Sequence, residues 1–374
     1  MTIRQIPLLD LRAQHAKIRD AVVSELMRVV DSQMFIMGAD VQKLEEQVAA
    51  YSNAKFGIGC ASGTDALVLA LMGLGVEPGD EVLTVPYTFF ATAGAIHRVG
   101  ARPVFVDVEA ATFNMDMSQV ERALEEHPKV KAVIPVHLFG GCADMDPLLE
   151  IARRKKVFVI EDAAQSIGSE YKGRRAGSMG DVGCFSFFPS KNLGGYGDGG
   201  MMTTDDADLA ARLAALRVHG SRTKYYHEWV GICSRLDALQ AAVLRVKLGY
   251  LDEWSRKRAE NAALYRQWIE ELGIAVTPPV PSAYQTRYIY NQFAILSERR
   301  DALQAHLKSH GVGTEIYYPL ALHMQTCFAG LGYKEGDFPV SERLARESLA
   351  LPVHAELTAD EIEYVCRVMR GFQG

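Results

Sequence analysis

Between about residues 53 and 205, short runs of apolar and β-branched residues alternate with segments whose apolar positions recur at helical spacing. The runs cover 56–60, 81–85, 103–106, 132–135, 157–160, 182–187 and 201–204, and most carry no polar face. Strands that are apolar on both sides belong in a sheet covered by helices on both faces. Helix starts stand between them: Ser62 before 65–74, Asp116 and Ser118 before 119–126, Asp144 and Asp146 before 147–155. Each supplies a side-chain oxygen for the free amides of a first turn. The pattern predicts an α/β layered domain with seven strands in one sheet.

After residue 205 the texture becomes long helical stretches, 206–218 and 236–272, the second broken near Trp254. Prolines and polar turn residues crowd 277–285, which reads as a crossing into a second unit. From 288 onward the pattern is strand, helix (299–311), loop and two more helices, a small α+β domain. The expected division is 1–255 for the large unit and 256–374 for the small one, with the seam between 250 and 285.

Composition narrows the function classes. The 374 residues are 48% hydrophobic and 23% charged, ordinary for a folded globular chain and unlike a disordered or repetitive one. With 40 Lys+Arg against 46 Asp+Glu, the formal charge of −6 leaves no electrostatic footprint for nucleic acid. A bound anion therefore needs a local site. The six cysteines, Cys60, Cys142, Cys184, Cys233, Cys327 and Cys366, lie far apart without metal-ligand spacing. We read them as reduced thiols of a cytoplasmic protein with no metal centre. Residues 1–20 alternate apolar and charged positions and lack a signal-peptide pattern, and no run approaches the ~18 apolar residues of a membrane span. Neither export nor membrane insertion is expected.

Ligands of open α/β sheets sit beyond the carboxyl ends of strands, and three strand ends carry chemistry. Ala61-Ser62-Gly63-Thr64-Asp65 leads from a strand into an apolar helix, so its free amides and two hydroxyls can cradle a phosphate or serve as a plain cap. The apolar run 157–160 ends in Glu161 and Asp162, and a carboxylate there needs a cation or donors to meet it. Either acid can point into a site or cap the following turn. Lys191 follows an aromatic strand and precedes Gly194, Gly195, Gly197, Gly199 and Gly200. Aromatic surroundings favour the free amine that Schiff-base chemistry requires, and glycines let backbone approach a bulky group. Alone, such a lysine reads better as a surface residue of a glycine turn. Together, a phosphate cradle, a buried acid and a desolvated lysine describe a site for pyridoxal 5′-phosphate (PLP).

The segments SGTDAL (62–67), PGDEVL (78–83), TFFATA (88–93), EDAAQ (161–165), GDVGCFSFFPSKNLGGYGDGG (180–200) and SRLDALQAAVLRVKL (234–248) resemble the DegT/StrS family of nucleotide-sugar aminotransferases. The resemblance continues through FIMGADVQKLE (35–45), YYPLALHMQ (317–325) and LPVH (351–354). It implies a PLP-dependent transferase fold with a mixed seven-stranded sheet, and a homodimer with shared active sites. By the same resemblance Lys191 is the Schiff-base lysine and Asp162 faces the pyridinium nitrogen. Gly63, Thr64 and Ser186 bind the phosphate, Phe89 stacks on the ring, and Gln165 lies near the ring hydroxyl. Arg235 comes from the neighbouring subunit. Cys233 stands where many relatives have an asparagine that reaches the phosphate across subunits, and Tyr317 stands where many have histidine before the tyrosine matched by Tyr318. Tyr317, Tyr318 and Tyr226 are the candidate substrate contacts.

The implied reaction passes an amino group from an amino acid, glutamate in the family, to a keto group of a nucleotide-linked sugar. FFPSKNLGGYGDGG with CADMD (142–146) resembles relatives acting at C-3 of a dTDP-linked 6-deoxyhexose or a UDP-linked acetamido sugar or uronate. The alternatives are amination at C-4, and a regulatory protein that binds PLP or a sugar without turnover. Dehydration is disfavoured because the family's dehydratases carry histidine at the position of Lys191.

Overall fold

The computed structural model describes residues 4–372. Helices α1 (Leu11–Ser32) and α2 (Ala39–Tyr51) precede the first strand, β1 (Phe56–Cys60), which leads directly into α3 (Gly63–Gly73). Then β2 (Glu81–Thr84), α4 (Ala91–Arg98), β3 (Arg102–Phe105), α5 (Met117–Glu126), β4 (Val130–Val133), α6 (Met145–Lys155) and β5 (Phe158–Asp162) alternate along the chain. A short hairpin, β6 (Glu170–Tyr171) and β7 (Arg174–Arg175), precedes β8 (Val182–Ser186) and β9 (Gly200–Thr204). The seven apolar runs thus form one sheet, in the order β1-β9-β8-β5-β4-β2-β3.

Strands β3, β2, β4, β5 and β8 pair in parallel, whereas β9 is antiparallel to both β8 and β1. Every strand but β9 therefore points the same way, and six carboxyl ends meet along one edge. Successive residues feed opposite cores, as the pleat requires. Leu83, Val133, Val159, Phe185 and Met201 enter one cluster, while Val82, Ala132, Ile160, Cys184 and Met202 enter the other beneath α3. Asp162 and Ser186 continue the second set of positions, toward α3, and Glu161 continues the first.

Beyond the sheet come α7 (Ala207–Leu216), the hairpin β10 (Ser221–Thr223) and β11 (Tyr226–His227), α8 (Ala238–Leu248) and α9 (Leu251–Glu271). The expected break in the long helical stretch falls at Gly249 and Tyr250 rather than at Trp254. Glycine costs about 1 kcal/mol in a helix interior and marks the weak point, whereas Trp254 is buried within α9. The remaining chain forms β12 (Phe293–Leu296), α10 (Arg300–Ser309), α11 (Pro339–Glu347), β13 (Ser348–Leu351) and α12 (Ala359–Arg370). Strands β12 and β13 pair antiparallel over a third cluster that includes Tyr265 and Ile269 of α9 and, from near the N-terminus, Ile6. Thr277 exchanges backbone bonds of 2.9 and 2.8 Å with Leu296, so the proline-rich crossing ends against this small sheet. No helix among the described residues is long and apolar enough to cross a membrane.

Candidate active site

At the start of α3, Ser62 Oγ accepts from Asp65 N at 3.1 Å and caps the helix. The amides of Gly63 and Thr64 have no partner among the described residues and remain free for an anion. Ser186, at the end of β8, stands against this turn: a Cβ on Gly63 would lie 2.6 Å from Ser186 Cβ. Only glycine lets the helix start come so near the hydroxyl. The cap and the cradle are therefore one structure, with the serine hydroxyl spent on the helix and the first amides left open.

The two acids of β5 separate by the pleat. Glu161 is fully buried and accepts from Gly177 N (2.8 Å), Met179 N (2.6 Å), Gly180 N (2.7 Å) and His137 Nε2 (2.8 Å). Ala143 N donates to His137 Nδ1 at 3.1 Å, which puts the imidazole proton on Nε2, facing the carboxylate. Burial alone would raise the pKa of Glu161, but these donors outweigh it and hold it below the usual value. Asp162 points the other way and lines a cavity of 410 Å³. Its Oδ2 accepts from Thr92 Oγ1 at 2.8 Å and its Oδ1 from Ala164 N at 3.2 Å. Burial raises its pKa, and the Thr92 bond and the Lys191 charge oppose that shift.

Lys191 reaches the same cavity from the loop after β8. Its Nζ makes no hydrogen bond or ion pair with any described residue. Desolvation brings its pKa down to about 8 against the pull of Asp162. Two of the glycines that follow stand tight against protein backbone. A Cβ on Gly194 would meet Pro189 O at 2.3 Å, and one on Gly200 would meet the Ser62 carbonyl carbon at 2.4 Å. They let the loop fold on itself and let β9 pass beneath α3, so protein packing alone requires glycine there. Lys247 Nζ, buried in α8, donates to Gly194 O at 2.7 Å, and Asn192 bridges to Asn291 Nδ2 (2.8 Å) and Ile289 O (3.1 Å). The lysine loop is thus pinned from both sides.

Phe89, Gln165, Tyr317 and Tyr318 complete the wall. Gln165 Oε1 accepts from Phe139 N at 2.8 Å, so its amide nitrogen must face Tyr318, to whose oxygen it donates at 3.0 Å. Phe89 is 55% exposed, with its ring 6.0 Å from that of Tyr318. Of the residues picked out in the sequence, the cavity gathers Gly63, Thr64, Phe89, Asp162, Gln165, Ser186, Lys191, Tyr317 and Tyr318. Arg235 and Cys233 stand outside the cavity of their own chain, where Arg235 Nη2 donates to Cys233 Sγ at 3.1 Å. Tyr226 lies on the β10–β11 hairpin, 74% exposed and likewise away from it. Sequence reasoning missed Thr92 and Asn291, polar residues that are almost fully buried. Thr92 stands inside the quoted TFFATA segment, where a hydroxyl among apolar residues was the available signal.

The model of the DegT/DnrJ/EryC1/StrS aminotransferase family matches residues 16–370. The chain belongs to this family. A pleiotropic regulatory protein of Geobacillus stearothermophilus is 49% identical over 370 residues, 98% of each chain. A UDP-N-acetyl-3-dehydro-alpha-D-glucosamine 3-aminotransferase of Acidithiobacillus ferrooxidans is 43% identical over 365 residues, 98% of this chain and 97% of that one. Among solved structures, S. venezuelae DesV in complex with a ketimine intermediate superposes with a TM-score of 0.95 at 40% identity, covering 98% of both chains. The mixed seven-stranded architecture is thus the family's fold.

Proposed function

We propose that the chain is a PLP-dependent aminotransferase that carries an amino group from an amino acid, glutamate by the family resemblance, to the C-3 keto group of a nucleotide-linked sugar. One observation carries this reading: an unpaired, desolvated Lys191 amine, a buried Asp162 carboxylate and the open amides of α3 line one cavity. The residues fit the cofactor. Gly63 N, Thr64 N and the Ser186 hydroxyl suit its phosphate, Asp162 its ring nitrogen, and Lys191 its aldehyde. When bound, PLP supplies an electron sink for the carbon that loses a proton.

The chain's own groups do the rest. Lys191 Nζ, unprotonated in a large fraction near pH 8, takes the proton from the donor's α-carbon and returns one to the sugar carbon. Asp162 would hold a negative charge for the cofactor's ring nitrogen, Gln165 presents its amide beside Tyr318, and Phe89 would flank the ring. Leu67, Val136 and Leu138 line the cavity with apolar surface that excludes water. Arg235 and Cys233, outside their own cavity, serve that of a second copy in a homodimer. Support for C-3 comes from the name of the Acidithiobacillus relative together with the FFPSKNLGGYGDGG segment.

The Geobacillus relative is named a pleiotropic regulatory protein, and the alternative reading is regulation by binding without turnover. The complete set of Lys191, Asp162, Gln165 and Ser186 weighs against it. Glutamate added to the PLP-loaded protein should abolish its visible absorption, and a stable band would favour the regulatory reading. The amine-loaded form, offered dTDP- and UDP-linked 3-keto and 4-keto sugars, should turn over a 3-keto sugar; selective use of a 4-keto sugar would overturn the C-3 assignment.

A further inference from the structure

Asp162 is a buried carboxylate that no cation of the chain pairs within 4 Å among the described residues, so its charge needs another source of stabilisation. The hydrogen bonds around it have a forced direction. An ionised carboxylate only accepts, so Thr92 spends its single hydroxyl proton on Asp162 Oδ2 at 2.8 Å. Thr88 Oγ1 lies 3.1 Å from Thr92 Oγ1 and must then be the donor of that bond. Both threonines are buried, at 2% and 0% exposure, on the turn that opens α4. Thr88 lines the cavity, whereas Thr92 stands behind it.

We infer that Thr88 and Thr92 form a directed hydroxyl relay that keeps Asp162 ionised and aimed into the cavity, making Thr92 a positioning residue for the pairing of that carboxylate with a cationic ring nitrogen. The relay itself rests on geometry, and its role in cofactor pairing rests on the function proposed above. The titratable groups facing Asp162 are Lys191 after β8, His137 after β4, Cys184 on β8 and Tyr318. Asp65, the titratable residue of α3, is turned away into a 2.7 Å bond from Ser234 Oγ, and His97 and Arg98 lie at the far end of α4. Removing the donor leaves desolvation less opposed, so the carboxylate takes up its proton at a higher pH.

The test compares wild type, Thr92→Val, which removes the donor at constant shape, and Thr92→Ser, which restores it. Infrared difference spectra of aspartate-labelled protein without cofactor, assigned with Asp162→Asn, follow the Asp162 carboxylate band against pH. The relay predicts that the midpoint rises by about one unit in Thr92→Val and returns in Thr92→Ser. PLP affinity of the same proteins should fall about tenfold in Thr92→Val, with the loss setting in at higher pH than in wild type as pH is lowered. An unchanged Asp162 midpoint in Thr92→Val would overturn the relay. Failure of the wild type to bind PLP would instead sink the proposed function, while the infrared midpoint still decides the relay.

Discussion

Lys191 concentrates the proposed chemistry because its amine is desolvated and has no partner among the described residues. With its pKa brought down to about 8, the nucleophilic free amine appears as pH rises through that value rather than near the ordinary 10.5. The rate at which cofactor-free protein captures PLP should therefore climb through about pH 8 and level off above it; stopped-flow absorbance checks this, and a midpoint near 10.5 would contradict it. Asp162→Asn keeps the volume but removes the charge, and should lower amination roughly a hundredfold with little change in donor KM. Both residues were legible in the sequence because a charge at the end of an apolar run is costly and invites explanation. Which of Glu161 and Asp162 served the cavity was not legible from composition, since both stand at the same strand mouth. The pleat decides it, and the family resemblance had pointed the same way. Thr92 is harder to read, because its signal, a hydroxyl inside the apolar TFFATA segment, is shared with Thr88 and does not by itself point to a carboxylate.

At the level of elements, the sheet was readable almost strand for strand, since strands covered on both faces are continuous apolar runs. The hairpins β6–β7 and β10–β11 were not, having only two or three residues per strand, and neither was β13, a four-residue strand set by pairing with the distant β12. Glu161 illustrates how an element is held: its four donors tie the end of β5 to the 177–180 turn and to His137 after β4. Glu161→Ala strands those donors in a dry interior and should cost about 3 kcal/mol in urea unfolding, where Asp162→Asn costs far less. Gly63→Ala tests the α3 cradle in a different way. Its Cβ would stand 2.6 Å from that of Ser186, forcing the helix start off β8. Cofactor affinity should drop at least tenfold while the unfolding midpoint moves little, as equilibrium dialysis and urea melts would record.

For the whole molecule, the proposed homodimer divides each site between two chains. Arg235 and Cys233 were found from a family pattern, and a single chain leaves them facing away from its own cavity. If Arg235 acts across subunits, Lys191→Ala and Arg235→Ala proteins, each inactive alone, regain up to about a quarter of wild-type activity when their chains are mixed and reassembled. No regain would place each chain's Arg235 in the site of its own Lys191. The acidic net charge of −6 carries no information about the proposed chemistry, because its anions would be met by local amides and hydroxyls. The most direct test of the central claim is transfer of a labelled amino group. PLP-loaded protein is given glutamate carrying an isotopic nitrogen together with a UDP-linked 3-keto sugar, and the products are read by mass spectrometry. The account predicts one labelled amine on the sugar from wild type and none from Lys191→Ala. Equal labelling by the two proteins, or no labelled amino sugar from wild type with any dTDP- or UDP-linked keto sugar, would contradict it.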